Sequence, residues 1–239
     1  MIKGKRTLTL ITGATSGIGF ELARRLINTD DLVVIGRKEA HEVHAMLSDN
    51  IQYIQTDIAN PVQAVEAVIA GLEKLDIQAI DRVIHCAGVG VYTSPDQETS
   101  EQIDLNVSVN LLFPVLLTKA LTSHVETAKG KVVLIGSVAH KGSPNMASYA
   151  ASKAGLAGFA RSLEAEWRDR IDVQVIHPGP TLTPMLEKAG YKVGKEGRFF
   201  LSPEAMAEEI IKVMPTNKKS ATIFIGAKIK SLFRRKQSA

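Results

Sequence analysis

Leu8-Thr9-Leu10-Ile11-Thr12-Gly13-Ala14-Thr15-Ser16-Gly17-Ile18-Gly19-Phe20-Glu21-Leu22-Ala23-Arg24-Arg25-Leu26 is the stretch that decides the fold. The apolar run Leu8–Thr12 reads as a strand, and Phe20 to Leu26 reads as a helix. A glycine turn between strand and helix is a phosphate site. Gly13 permits the tight turn, Gly17 lets backbone approach a pyrophosphate, and Gly19 lets the helix pack closely on the strand. The helix N-terminus adds free amides and a partial positive charge. Thr15, Ser16 and Ile18 fall inside the same turn and are grouped with the glycines as nucleotide-binding positions.

Outward from this turn, strand-like runs recur at Leu32–Ile35, Ile51–Gln55, Arg82–His85, Lys131–Ile135, Val173–Ile176 and Thr222–Ile225, each separated from the next by a helix-like segment. That alternation predicts an α/β fold of the Rossmann-like, doubly wound kind, with a mostly parallel seven-stranded sheet and helices on both faces. Ligands of such sheets sit beyond the carboxyl ends of the strands. Gly13, Gly36-Arg37, Asp57, Ala87-Gly88, Ser137 and Pro178-Gly179 all follow successive strands on that one edge.

Tyr149-Ala150-Ala151-Ser152-Lys153 places a phenol and an ammonium four residues apart, on one face of a helix. A free tyrosine titrates near ~10 and is a poor acid or base at neutral pH, but a fixed cation favours the tyrosinate. The pair thus reads as a proton donor and its electrostatic partner, with Lys153 expected to lower the tyrosine pKa.

Taken in order, Thr12-Gly13-x-x-x-Gly17-x-Gly19, Asp57, Cys86-Ala87-Gly88, Asn110, Ser137, Tyr149-x-x-x-Lys153 and Pro178-Gly179 with Thr183 resemble the short-chain dehydrogenase/reductase family over about Leu8 to Gly226. The resemblance implies catalytic roles for Asn110, Ser137, Tyr149 and Lys153. Tyr149 would exchange a proton with the substrate oxygen, Ser137 would hold that oxygen, Lys153 would also bind the nicotinamide ribose, and Asn110 would belong to the proton relay. Asn106, one turn earlier, is the rival for that last role. Asp57 and Ile58 would lie at the adenine ring and Ala87-Gly88 near the adenosine ribose. Pro178, Gly179, Thr181 and Thr183 would reach the nicotinamide end, and residues 184–202 would form a substrate lid. The lid mixes Met185, Leu186, Tyr191, Phe199 and Phe200 with Lys188, Lys192, Lys195 and Arg198, so no substrate is chosen from it. The family usually carries an asparagine where Cys86 stands, which leaves the bracing of neighbouring strands to other groups.

The second strand bears on the cofactor. An acidic residue at its end would accept hydrogen bonds from ribose hydroxyls and repel a 2′-phosphate, whereas a cation would bind that phosphate. Here it ends in Gly36-Arg37-Lys38, which predicts NADP(H), with Arg37 as the phosphate partner, Lys38 secondary and NAD(H) as the alternative.

With 239 residues and 45% hydrophobic content, the chain can bury one substantial core, read as a single domain over 1–226. A single cysteine excludes an internal disulfide, and the six histidines show no metal-ligand spacing, so no metal is expected. The N-terminus passes straight into the first strand and no apolar run is read as a membrane span, so a cytoplasmic location is expected. From Ile210 onward there are eight Lys and Arg and no Asp or Glu. The net charge of +4 is therefore a property of the tail, and nucleic-acid binding by the whole domain is not supported. Within tail 227–239, Ile229, Leu232 and Phe233 form an apolar stripe beside cations, which packs on the body or rests on an anionic membrane. The small residues Ala150, Ala151, Ala154, Gly155, Ala157, Gly158 and Ala160 suit close helix approach. By resemblance they imply a homodimer, with tetramerisation left open. The reading is an NADP(H)-dependent oxidoreductase acting on a small carbonyl or alcohol. Its rival is a non-catalytic NADP(H)-binding sensor of the same fold.

Overall fold

A computed structural model of the chain describes residues 6–224. The expected domain end at Gly226 and the basic tail with its apolar stripe lie outside those residues. The strands are β1 (Thr7–Thr12), β2 (Asp30–Gly36), β3 (Gln52–Gln55), β4 (Arg82–His85), β5 (Lys131–Ile135), β6 (Asp172–Pro178) and β7 (Ser220–Ile223). They form one seven-stranded sheet in the order β3-β2-β1-β4-β5-β6-β7. Every pairing is parallel, so the sheet is wholly rather than mostly parallel. β7 starts earlier than the sequence suggests because its register is set by β6, with Val175 opposite Ser220 and Pro178 opposite Ile223.

Period-two alternation explains why both faces are covered. Leu10, Val33, Ile35, Val83, Val132 and Leu134 face one core, while their neighbours Ile11, Leu32, Val34, Ile84, Val133 and Ile135 face the other. Helices α3 (Pro61–Lys74), α5 (Phe113–Ala120) and α7 (Ala147–Glu166) close the first core with Val68, Leu72, Phe113, Leu117 and Leu156. Helices α1 (Gly17–Leu26), α2 (Ala40–Met46) and α9 (Pro203–Val213) close the second with Leu22, Leu26, Val43, Met206 and Ile210. Prolines at the first turns of α3 and α9 suit positions where no amide donor is needed.

Helix α4 (Ser100–Val107) begins with a capping box, Thr99 and Gln102 each satisfying the other's backbone N–H. It runs through a π-helical turn, Ser108–Leu112, straight into α5. By length and composition alone this 21-residue stretch, Ser100–Ala120, is long and apolar enough to cross a membrane, contrary to the sequence expectation. Here it is a core helix: Phe113 and Leu117 pack on the sheet, and the buried amides of Asn106 and Asn110 bond to α7. Short helices α6 (Thr122–Thr127) and α8 (Pro184–Lys188) complete the described α-helices, with 3-10 turns at Val138–Lys141 and Lys195–Phe199.

Candidate active site

The glycine turn has the geometry that the spacing demands. Gly13 (φ 74°) and Gly17 (φ 55°) sit in the left-handed region that only glycine enters without strain. A methyl group on Gly13 would lie 2.6 Å from the Ala87 Cα, and one on Gly19 would collide with the Gly13 carbonyl. Ser16 precedes α1 without capping it, and the first turn of α1 carries no acidic residue, so its leading amides face outward without an intramolecular acceptor from either source. Thr183 closes the turn from the other side, its Cγ2 3.2 Å from where a Gly17 Cβ would be. Turn, free helix N-terminus and close strand ends fit the pyrophosphate of a dinucleotide.

At the end of β2, Thr15 and the Tyr53 hydroxyl flank Gly36. Arg37 is exposed and has no hydrogen bond or ion pair among the described residues. The Lys38 ammonium lies 3.7 Å from the Met46 sulfur, and the Lys38 carbonyl accepts the Tyr53 hydroxyl at 2.8 Å. The next carboxylate, Glu39, accepts from Gln55. Asp57 is exposed, and its Oδ1 accepts the Ala59 amide at 3.1 Å in a local turn; Asn60, not Asp57, precedes α3. Ile58 packs against the core.

The end of β4 is braced by a group the sequence reading assigned no role. The Thr12 hydroxyl accepts both the Cys86 and Ala87 amides, each at 3.2 Å. Cys86 packs against the second core, and burial pushes its thiol up to about 12. Such a thiol stays protonated and unreactive.

Beyond Gly88, Asn110 and Lys153 converge. A Cβ on Gly88 would be 3.2 Å from Asn110 Oδ1 and 3.7 Å from Lys153 Nζ. Asn110 stands in the π-helical turn, a distortion frequent at functional sites. Its amide accepts the Val89 N–H and donates to the Val89 carbonyl, both at 2.9 Å, and also reaches Ser152 Oγ at 3.2 Å. Asn106 sits behind it: its Oδ1 accepts from Asn110 at 3.4 Å while its amide donates to Ser148 Oγ at 2.7 Å, and Ser148 bonds the Glu98 carboxylate. Of the two asparagines, Asn110 is the one beside Lys153 and the strand ends.

Tyr149 and Lys153 project from α7 with almost no exposure, 6% and 4%. The Lys153 ammonium lies 5.8 Å from the Tyr149 ring centre and donates to the Ile135 carbonyl at 3.0 Å. Burial lowers its pKa to about 8, with the Cys86 thiol opposing weakly. The sequence expectation has Lys153 lowering the Tyr149 pKa; in the structure burial pushes that pKa up, and the opposing pull comes from the Ser137 side chain. Ser137 follows β5 and opens a 3-10 turn, Val138–Lys141, its Oγ accepting the Ala139 amide at 3.1 Å. A hydroxyl that accepts there has its proton free to donate to the phenol.

Gly90 lies beside the ring of Tyr149 and the Met146 methyl. A Gly90 Cβ would lie 3.5 Å from both the Met146 methyl and the Tyr149 ring. The 184–202 segment is tied over this side: Tyr92 donates to the Ala189 carbonyl at 2.8 Å, and the Tyr92 and Tyr191 rings meet edge to face at 4.8 Å. Gly179 runs against β7, with its amide on the Ile223 carbonyl at 2.8 Å, and Thr181 is buried with its hydroxyl on the Gly179 carbonyl. Pro178 ends β6 on the same edge. The structure thus gathers Asn110, Ser137, Tyr149 and Lys153 at one end of the sheet, with the glycine turn beside them. Arg37, Lys38 and Asp57 stand apart at the β2–β3 end.

The family model for short chain dehydrogenase matches residues 7–193. Acetoacetyl-CoA reductase of Acinetobacter sp. (strain RA3849) is 30% identical over 196 residues, spanning 76% of this chain and 77% of the relative. The 3-ketoacyl-(acyl-carrier-protein) reductase from Brucella melitensis, solved in complex with NADH, aligns with a TM-score of 0.80 at 24% identity, covering 92% of this chain and 97% of that one. A short-chain dehydrogenase from Sphingobium yanoikuyae, solved in complex with NADPH, aligns at 0.78 and 23%, covering 97% and 94%. At those identities the two structures show the shared fold.

Proposed function

Since this chain belongs to the short chain dehydrogenase family, we propose that it is an NADP(H)-dependent oxidoreductase that interconverts a small carbonyl compound and its alcohol, with Tyr149 as the proton-exchanging group. The observation that carries the reading is the Ser137–Tyr149–Lys153 arrangement beside the glycine turn, with Tyr149 and Lys153 buried. A bound nicotinamide supplies the hydride; the chain supplies position, charge and a proton. Gly13, Gly17, Gly19 and the free amides of α1 hold the pyrophosphate, and Thr183 covers it. Ser137 holds the substrate oxygen within reach of the Tyr149 phenol, which donates its proton to that oxygen in reduction and takes it back in oxidation. The ammonium of Lys153 spends one N–H on Ile135, and the others remain for the nicotinamide ribose. Asn110 fixes the Val89 backbone, and so the Gly88–Gly90 segment on which ribose and substrate rest.

The preference for NADP(H) is supported by Arg37 and Lys38, which pair with no carboxylate among the described residues, at the end of a strand with no acidic residue there. That relatives are solved with NADH as well as NADPH makes this a property of the chain's own residues. A homodimer through α4, α5 and α7 is supported by exposed Ile103, Val107 and Leu112 alongside the small exposed residues Ala151 and Ala154.

The test is nucleotide oxidation by the purified protein over a panel of carbonyl compounds that includes acyl thioesters. We expect turnover with NADPH that Tyr149→Phe abolishes while nucleotide affinity is retained. Arg37→Ala should weaken NADPH roughly tenfold or more and NADH little, the loss of one charge-assisted contact to phosphate; equal losses would refute the cofactor assignment. NADPH binding with no turnover across the panel would instead favour the sensor.

A further inference from the structure

His140 and His177 lie 37 residues apart in sequence and stack face to face in the fold, ring centres 4.0 Å apart and planes 27° apart. His177 lies one residue before the end of β6 with 3% exposure, and its Nδ1 has no hydrogen-bond partner. It fits only because residue 136 is glycine: a Cβ there would lie 2.5 Å from that Nδ1. His140 stands on the 3-10 turn that Ser137 opens. Its ring Nδ1 is 2.7 Å from the Ser137 carbonyl, which also accepts the His140 backbone amide at 3.1 Å. A carbonyl only accepts, so Nδ1 carries the proton. Neither histidine has any part in the reading above, yet His140, stacked on His177, holds the backbone of Ser137, the side chain that pulls against burial on Tyr149.

We propose that His140 is a positioning residue of the reaction: seated on the His177 ring, its Nδ1–H clamps the Ser137 carbonyl and so aims the Ser137 hydroxyl at the Tyr149 phenol. The inference rests on the roles given above to Ser137 and Tyr149. Four contacts fix the serine: the His140 ring to its carbonyl, the His140 backbone amide to that same carbonyl, the Ala139 amide to its hydroxyl, and the Gly136 amide to the Ile176 carbonyl at 2.7 Å just before it. Only the first is a side-chain contact that can be removed without touching the strand. His177 is suited to be the platform because it stays neutral: burial, then the charge of His140, lower its pKa to about 4 against an opposing pull from the Ser137 backbone, with smaller lowering by Lys141 and Lys153. The titratable groups around the turn are Lys141 on the turn itself, Tyr149 and Lys153 from α7, His177 from β6 and Cys86 after β4.

Two variants separate the clamp from the stack. His140→Phe keeps a ring on His177 and loses the donor; His140→Asn loses the ring and keeps an amide N–H that can reach the carbonyl. Tyrosinate absorbance, read as the difference between each protein and the same protein carrying Tyr149→Phe, gives the Tyr149 titration midpoint without substrate or nucleotide. His140→Phe is expected to raise that midpoint by about one unit, as a phenol loses its hydrogen-bond donor, and to cut kcat about tenfold with NADPH affinity unchanged. His140→Asn is expected to return both toward the parent values. A midpoint unmoved in His140→Phe, or one shifted as far in His140→Asn, overturns the proposal. Absence of turnover in the parent protein would count against the oxidoreductase reading alone, because the titration decides the clamp independently.

Discussion

Gly19 makes the strictest demand of any residue at the site. Its missing Cβ is what allows the first turn of α1 to rest on the Gly13 carbonyl, and there is no flexible side chain on the other side to yield. Gly19→Ala is expected to cost at least about 1–3 kcal/mol, as overpacking against backbone does. It should also weaken nucleotide binding, read by urea denaturation and by NADPH fluorescence. Undiminished binding would mean that the turn can shift, and would remove Gly19 from the phosphate site. Gly19 was legible in the sequence because backbone contact admits only one residue type, and Tyr149 with Lys153 because few side chains can exchange a proton beside a cation. His140 was not legible, since nothing in the local sequence says that position 177 will come to lie against it. The influences on Tyr149's acidity were only partly legible for a related reason: spacing along a helix shows that Lys153 shares its face, whereas burial, which raises its pKa, and the Ser137 contact, which lowers it, exist only after the sheet is assembled.

At the scale of the element, the carboxyl ends of β1 and β4 are joined by one hydroxyl. Thr12 Oγ1 accepts two backbone amides that pass directly into the nucleotide-binding loop, where the family usually relies on an asparagine at the position of Cys86. Thr12→Val keeps the shape of the side chain and orphans both donors, so a loss of about 1–3 kcal/mol is expected. Urea denaturation measures it; a loss below about 0.5 kcal/mol would show that water or a backbone shift satisfies the amides instead. Strand positions were readable because a strand covered on both faces is a continuous apolar run, as adjacent Leu10 and Ile11, which face opposite cores, show. The π-helical turn at Ser108–Leu112 was not, because five residues leave no period to detect. The preference for Asn110 over Asn106 came from family phrasing, and only the fold shows the physical difference between an amide bonded to Val89 and one bonded to Ser148.

For the whole molecule, two buried histidines tie stability to pH. Burial lowers His85 to about 3 and, with neighbouring charges, His177 to about 4, both from 6.5. Between those values and 6.5 the unfolded chain binds protons that the folded chain refuses, so stability is fully present above about 6.5 and is lost as pH falls toward 3. Urea midpoints should therefore drop between pH 7 and pH 4.5. His85→Gln, whose amide can still meet the Thr118 hydroxyl that His85 Nε2 contacts at 2.9 Å, should show a shallower drop. Parallel slopes for parent and variant would assign the acid sensitivity to other groups. The strand order carries a different kind of consequence. β1 pairs with β2 on one side and with β4 on the other, and Arg82, where β4 begins, follows Thr12 by a long intervening stretch. A chain emerging from the ribosome can thus pair β1, β2 and β3 while the far edge of β1 is still bare, and a bare central strand is an invitation to wrong partners. Gly13 meets Ala87 only when that edge is filled, so synthesis must pass β4 before the phosphate turn has its full wall.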